Sequence, residues 1–196
     1  MIRRMGAILA ALALLAAAAP AQAKSLAYTV SLDGHHSPTD TGSAATGQAH
    51  IVIDTDAKTV DVTLDVSGLT MDQLWAALAH SAMGPIHLHH YGSHDHSNPD
   101  ASALAFPLPM GPTYSATATG FHVEAMHVPY AEAAALVHSD VSFDDFVASM
   151  NDGLIVLNIH SNADHDGEIS GPVLPADGSG GGMHMAVAAP EAACLA

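Results

Sequence analysis

Residues Thr59 to Val66 read TVDVTLDV, with valine and leucine on one face and threonine and aspartate on the other. A period of two is the mark of a half-buried β-strand. Gln48 to Asp54 alternates less strictly ahead of it, and Asp54 to Lys58 between them has the composition of a hairpin turn. Leu26 to Leu32 predicts a shorter opening strand. Met71 to Ala79 predicts one or two helical turns with Trp75 and Leu78 facing inward. Gly84-Pro85 breaks the chain ahead of a strand over Ile86 to Tyr91. Residues 92–112 are rich in Ser, Asn, Pro, Asp and Gly, with strand character only near Leu104 to Leu108. Thr117 to His127 predicts another strand. Tyr130 to His138 and Ser142 to Met150 carry helical patterns, the second with Ser142 as N-cap and Asp144 and Asp145 in its first turn. Leu154 to His160 is nearly continuous in apolar residues, as a central strand buried on both faces should be. Asn162 to Gly167 is a tight polar turn, and Glu168 to Leu174 is the last strand. The fold class these elements predict is mainly β: an antiparallel Greek-key or immunoglobulin-like β-sandwich with one or two short helical insertions.

The two ends differ from this middle. Arg3 and Arg4 precede an apolar run from Gly6 to Ala19, and Ala21-Gln22-Ala23 gives a small-x-small cleavage pattern. Residues 1–23 therefore read as a signal peptide, with the run too short to span a bilayer, which needs about 20 residues. Residues 24–175 form the expected domain. Residues 176–196 read as a flexible Gly/Ala-rich tail. The expected location is periplasmic or secreted, with no membrane insertion after the leader is cut.

Cleavage sharpens the charge balance. It removes both arginines and leaves Lys24 and Lys58 against 20 acidic residues, a formal charge of −18 with histidine neutral. Nucleic acid and anionic lipid surfaces are bound through Lys and Arg, so both are poor partner candidates, and no nucleic-acid partner is expected. A cation fits better. Cys194 is the single cysteine, so neither an intramolecular disulfide nor a multi-cysteine zinc site is available.

The chain's 15 histidines carry the candidate chemistry. His87 and His89 stand two apart in GPIHLHHYG, and residues i and i+2 of a strand share a face. His160 ends the apolar strand LIVLNIH. Three imidazoles brought together satisfy one another poorly without a cation, and neutral imidazole suits copper and zinc. These three are the expected metal ligands, copper first and zinc as the alternative. His122, in GFHVE, is the expected fourth. His90 falls on the opposite strand face. His94, Asp95 and His96 form either a solvated turn or a second site. His127 and His80 are weaker candidates, and His165, in the turn after His160, reads either as a residue supporting the ligands from behind or as a bystander. His35 and His36 belong to a surface loop. Asn158 and Glu168 read as structural. Met83 and Met126 read as core, and Met183-His184-Met185 as part of the tail.

The order of these pieces resembles the CHRD domain, found in chordin and in many secreted bacterial proteins. The resemblance lies in the hairpin TGQAHIVIDTDAKTVDVTLDVSGL, the strand GPIHLHHYG and the closing run LIVLNIHSNADHDGEISGPV, over roughly residues 42–174. Ser170 stands where the family usually has arginine. The resemblance implies an immunoglobulin-like β-sandwich and no established catalytic activity. A second, local resemblance is to the copper half of Cu/Zn superoxide dismutases. It matches His87 and His89 to the His-x-His pair and His160 to the late-strand ligand. The dismutase's substrate-guiding arginine has no counterpart, and the negative charge repels superoxide.

No nucleophile elbow and no phosphate-cradling glycine loop occurs in the chain. The reading is an exported CHRD-like domain that binds a transition metal in metal handling. A dismutase-like copper enzyme is one alternative. An extracellular or envelope protein-interaction module with structural histidines is the other.

Overall fold

The computed structural model describes residues 25–36 and 40–178. The expected leader, all but three residues of the expected tail, the Met183-His184-Met185 motif and Cys194 lie outside the described residues.

Three strands in succession build one half of the molecule: β1 (Ser25–Asp33), β2 (Thr46–Asp54) and β3 (Thr59–Ser67). The alternation of β3 is realised in full. Val60, Val62, Leu64 and Val66 are buried and face Ile53, Ile51, Ala49 and Gly47 of β2 in register. Each buried aliphatic side chain contributes about 1.5–3 kcal/mol relative to exposure, which fixes the register because a one-residue slip would turn the whole set to solvent. Asp54 closes the hairpin by accepting the N–H groups of Asp56 and Ala57 at 2.9 and 2.8 Å.

A 3₁₀ turn (Met71–Gln73) and the short helix α1 (Ala76–Ala79) lead to β4 (Ile86–Tyr91). Strands β5 (Ser102–Leu108), β6 (Tyr114–Ala116) and β7 (Gly120–Pro129) follow. Helices α2 (Tyr130–Leu136) and α3 (Phe143–Asn151) come next, and β8 (Ile155–Ile159), β9 (Ile169–Pro172) and β10 (Leu174–Pro175) close the domain. All strands pair antiparallel in one sheet of order β5-β4-β8-β9-β1-β2-β3-β7-β6, with β10 beside β1. The sheet curls strongly around a single apolar core, a sandwich-like or barrel-like arrangement with few helices that is consistent with the mainly β, antiparallel sandwich class expected.

The helices fall where the pattern put them. Ser142 caps α3 by accepting the Asp145 N–H at 3.1 Å. Phe146 is fully buried between Phe106 of β5 and Tyr130 of α2, with ring centroids 6.2 and 4.8 Å away. Three details differ from the sequence expectation. The strand expected from Thr117 starts at Gly120, because Thr117 and Gly120 close a turn that splits off β6. The last strand divides into β9 and β10. Trp75 is only half-buried; its neighbour Leu74 is the residue driven inward, at 1% exposure.

Strand β8 is buried on both faces, as its composition predicts. Ile155, Leu157 and Ile159 point into the core. Val156 and Asn158 face outward yet are covered, at 1% and 2% exposure. The cover comes from two segments stitched together: Trp75 N–H donates to His160 C=O at 3.0 Å, Asn162 N–H to Gln73 C=O at 2.8 Å, and Leu74 bridges Ser161.

Candidate metal centre

The covered outer face holds the histidines. β4 and β8 pair regularly, with His87 opposite Asn158 and His89 opposite Val156. Strand alternation therefore sets His87 and His89 on the face away from Ile86 and Leu88, which are fully buried in the core. On the other side of β4 the register with β5 slips between Leu88 and His89, so Leu88 faces Phe106 and His89 faces Leu104. His160 follows β8 directly, held by its N–H to Pro85 C=O at 2.9 Å. Its ring turns toward β4. The ring centroids of His87–His160, His87–His89 and His89–His160 are 4.8, 5.6 and 5.8 Å apart. One nitrogen from each ring lies within 4.8 Å of the others. His87 and His160 are buried and His89 is half-buried.

Proton accounting defines what these rings offer. His160 Nδ1 stands 2.7 Å from the His165 carbonyl, which can only accept, so Nδ1 carries the proton and Nε2 bears a lone pair. That Nε2 is 3.0 Å from His87 Nδ1. His89 Nδ1 is 3.1 Å from Ser102 Oγ, whose own proton goes to Pro99 C=O at 2.7 Å. His89 Nδ1 must then be the donor, and its Nε2 is a buried lone pair with no hydrogen-bond partner. His87 Nε2 is likewise buried without a partner. If His87 holds its proton on Nδ1, it satisfies His160 but leaves two ring acceptors orphaned. If it holds the proton on Nε2, two lone pairs face each other at 3.0 Å. A cation placed among the three rings resolves the second arrangement, in which His87 Nδ1, His89 Nε2 and His160 Nε2 all carry lone pairs. For a metal with about 2.0–2.1 Å metal–nitrogen bonds, tetrahedral ligands sit about 3.3 Å apart; the His87–His160 pair stands at 3.0 Å, and the whole set lies within 4.8 Å.

The electrostatics keep the rings ready. Burial pulls both His87 and His89 down to about 3 from the ordinary 6.5, with the neighbouring rings adding to the effect and the main chain of Gly84 and Met83 opposing it at His87. Burial also lowers His160, opposed by the His165 carbonyl and by Asp166 and Asp164. All three are neutral imidazoles at physiological pH, the form that ligates metal. The hydrogen bonds from His160 to a carbonyl and from His89 to a hydroxyl are the outer-shell contacts that orient metal-binding histidines.

His122 does not join them. It sits on β7, with the five strands β8, β9, β1, β2 and β3 between it and β4 along the sheet, and its Nδ1 pairs with Asp65 Oδ1 at 2.7 Å. His90 lies on the opposite face of β4, beside a cavity lined by Asp140, Asp145 and Asp152. His96 packs its ring 4.8 Å from Tyr91, Asp95 caps Ser97, and neither belongs to a ligand cluster among the described residues. His127 pairs at the surface with Asp61, His35 with Asp40 and His36 with Asp33. His80 is exposed. Met126, expected in the core, is 48% exposed at the irregular end of β7, and Met83 is half-buried. Glu168 is structural as expected, accepting from Ser43 Oγ at 2.8 Å.

Ser102 and Trp75 escaped the sequence reading as contributors, and His165 contributes through its carbonyl. Ser102 and the His165 carbonyl carry no pattern that marks them, since one is a loop-edge serine and the other a main-chain atom. Trp75 stands beside the centre: its ring stacks on His165 at 4.1 Å and lies 6.4 Å from His160.

The molecule is thus a curled antiparallel β-protein with a three-imidazole cluster that could hold a metal ion on the covered outer face of two central strands. The model of the CHRD domain matches residues 28–173, and the chain belongs to that family. The match takes in β1, ahead of the segment where the sequence resemblance begins. No curated protein and no solved structure matches the chain. None of the described helices is long and apolar enough to cross a membrane.

Proposed function

We propose that this CHRD domain is exported to the periplasm or cell exterior and binds a transition metal there, in metal handling. His87, His89 and His160 are the ligands, with copper preferred and zinc the alternative. The observation that carries the reading is the convergence of three neutral imidazoles whose facing nitrogens have too few protons to satisfy one another. An all-imidazole set without cysteine or carboxylate suits copper and zinc above magnesium or calcium. Three ligands leave one position for water or a small molecule. The leader-like N-terminus supports export, and the acidic surface supports a cationic cargo. The open position also suits copper redox chemistry, and a dismutase-like activity is the second reading. The field of the chain works against it for an anionic substrate.

The test is metal titration with elemental analysis of the chain lacking residues 1–23, beside a triple variant with His87, His89 and His160 changed to alanine. Trp75, the single tryptophan, supplies a fluorescence signal close to the site. Stoichiometric binding that quenches Trp75 with copper and is lost in the variant is the expected result. Equal binding by both proteins, or none by either, would overturn the proposal.

A further inference from the structure

The turn after β8 is held from within by β8 itself. Asn158 lies two residues before His160 and is 2% exposed. Its Nδ2 donates to the Asp166 carbonyl at 2.7 Å. Gly167 packs against the same amide: a Cβ there would fall 1.8 Å from Asn158 Oδ1, and its φ is +126°. Only glycine gives that clearance, and only glycine takes that backbone angle without strain. The other end of the turn is tied by Ser161, whose Oγ accepts the N–H groups of Ala163 and Asp164, both at 3.0 Å. His165 sits between these two ties, and its carbonyl is the acceptor for His160 Nδ1. Asn162, Ala163, His165 and Asp166 are all exposed. A polar surface turn of this kind has no core of its own; the Trp75 ring stacked on His165 at 4.1 Å and the Asn162 N–H donated to Gln73 C=O at 2.8 Å hold its outer side, and Asn158 holds its inner side.

We infer that Asn158 is a positioning residue for the metal centre. By gripping the Asp166 carbonyl, with Gly167 making room for its amide, it holds the His165 carbonyl on His160 Nδ1 and so keeps the proton off His160 Nε2. The motif Asn-x-His with its following Asp-Gly then has a mechanical meaning: the strand that presents the ligand also anchors the turn that sets the ligand's tautomer. The consequence for affinity rests on the metal reading above; the consequence for the tautomer does not.

The experiment compares the wild type with Asn158→Asp and Asn158→Ala. The first keeps the shape of the side chain and removes the donor; the second removes the grip altogether. Two quantities are read: the His160 tautomer from imidazole nitrogen NMR of the metal-free protein, and zinc affinity by competition titration. The wild type should show His160 protonated on Nδ1. Both variants should show it mixed with the Nε2-protonated form, with zinc affinity 10- to 100-fold lower, the range for loss of an outer-shell contact. His89 resonances should stay in place, while those of His87, whose Nδ1 faces His160 Nε2 at 3.0 Å, should move with the tautomer. If either variant fails to unfold cooperatively, Ser161→Ala at the other tie of the turn serves instead and should shift both readouts in the same direction. An unchanged tautomer with zinc affinity within twofold of wild type, in a folded variant, would overturn the inference. A wild type that binds no zinc or copper would overturn the metal reading alone, and the tautomer would still decide the role of Asn158.

Discussion

Holding His87 and His89 neutral has a consequence that grows in acid. In the unfolded chain each takes up a proton near pH 6.5. In the folded chain each stays neutral down to about pH 3. Between those values the unfolded state binds more protons, so stability falls as pH falls through the window. The loss is about 1.4 kcal/mol per pH unit for each histidine. At about pH 4.5 the pair has withdrawn about 5 kcal/mol, comparable with the whole stability of many domains. The perturbation that isolates this is the double substitution His87→Leu with His89→Leu. It replaces both rings with apolar groups and also removes two buried nitrogens without partners. Each such group costs roughly 1–3 kcal/mol. The assay is urea unfolding of the metal-free protein, wild type and double variant, at about pH 7 and about pH 4.5. The variant should be the more stable at both, and the wild type should lose about 5 kcal/mol more on acidification. Parallel losses would show that these rings are not held neutral in the fold, and a variant weaker than wild type at neutral pH would show that the two buried nitrogens without partners do not cost it stability.

Ser102→Ala removes the acceptor for His89 Nδ1–H. Zinc affinity measured by competition should fall about tenfold with little change in the urea midpoint, and an unchanged affinity would show that Ser102 does not orient the ring. His122→Ala breaks a pair whose aspartate is 76% exposed. It should leave metal stoichiometry and affinity unchanged by titration, and chemical denaturation should register less than about 1 kcal/mol; a lost metal would return His122 to the ligand set.

The parts of the fold legible in the sequence are those where burial writes a period. TVDVTLDV shows which residues of β3 point inward, and LIVLNIH shows a strand covered on both faces. His-x-His shows two rings on one face for the same reason. Parity goes no further than that. His122 and His87 both point away from the core, but which strands are neighbours depends on the crossovers after β3 and β7, which no local pattern encodes. The three-residue β6 is too short to carry a period at all. The slip between β4 and β5 depends on pairing across strands and leaves no local mark.

The outer face of the sheet shows why the centre stands out. Along β2, β3 and β7 that face is solvated and carries His50, Thr63, Asp65, His122 and Glu124, whose polar groups water can serve. Over β4 and β8 the same face is roofed by the segment around Trp75 and by the turn after His160, joined through main-chain hydrogen bonds. Under such a roof, apolar side chains would be the stabilising choice, as Val156 shows beside His89. The chain instead places three imidazoles there, together with Asn158, and aims a carbonyl and a hydroxyl at two of the rings. Each polar group taken alone would weaken the fold. Together they set one nitrogen of each ring within 4.8 Å of the others, and a bound cation would convert groups that cost the fold stability into ones that hold it together.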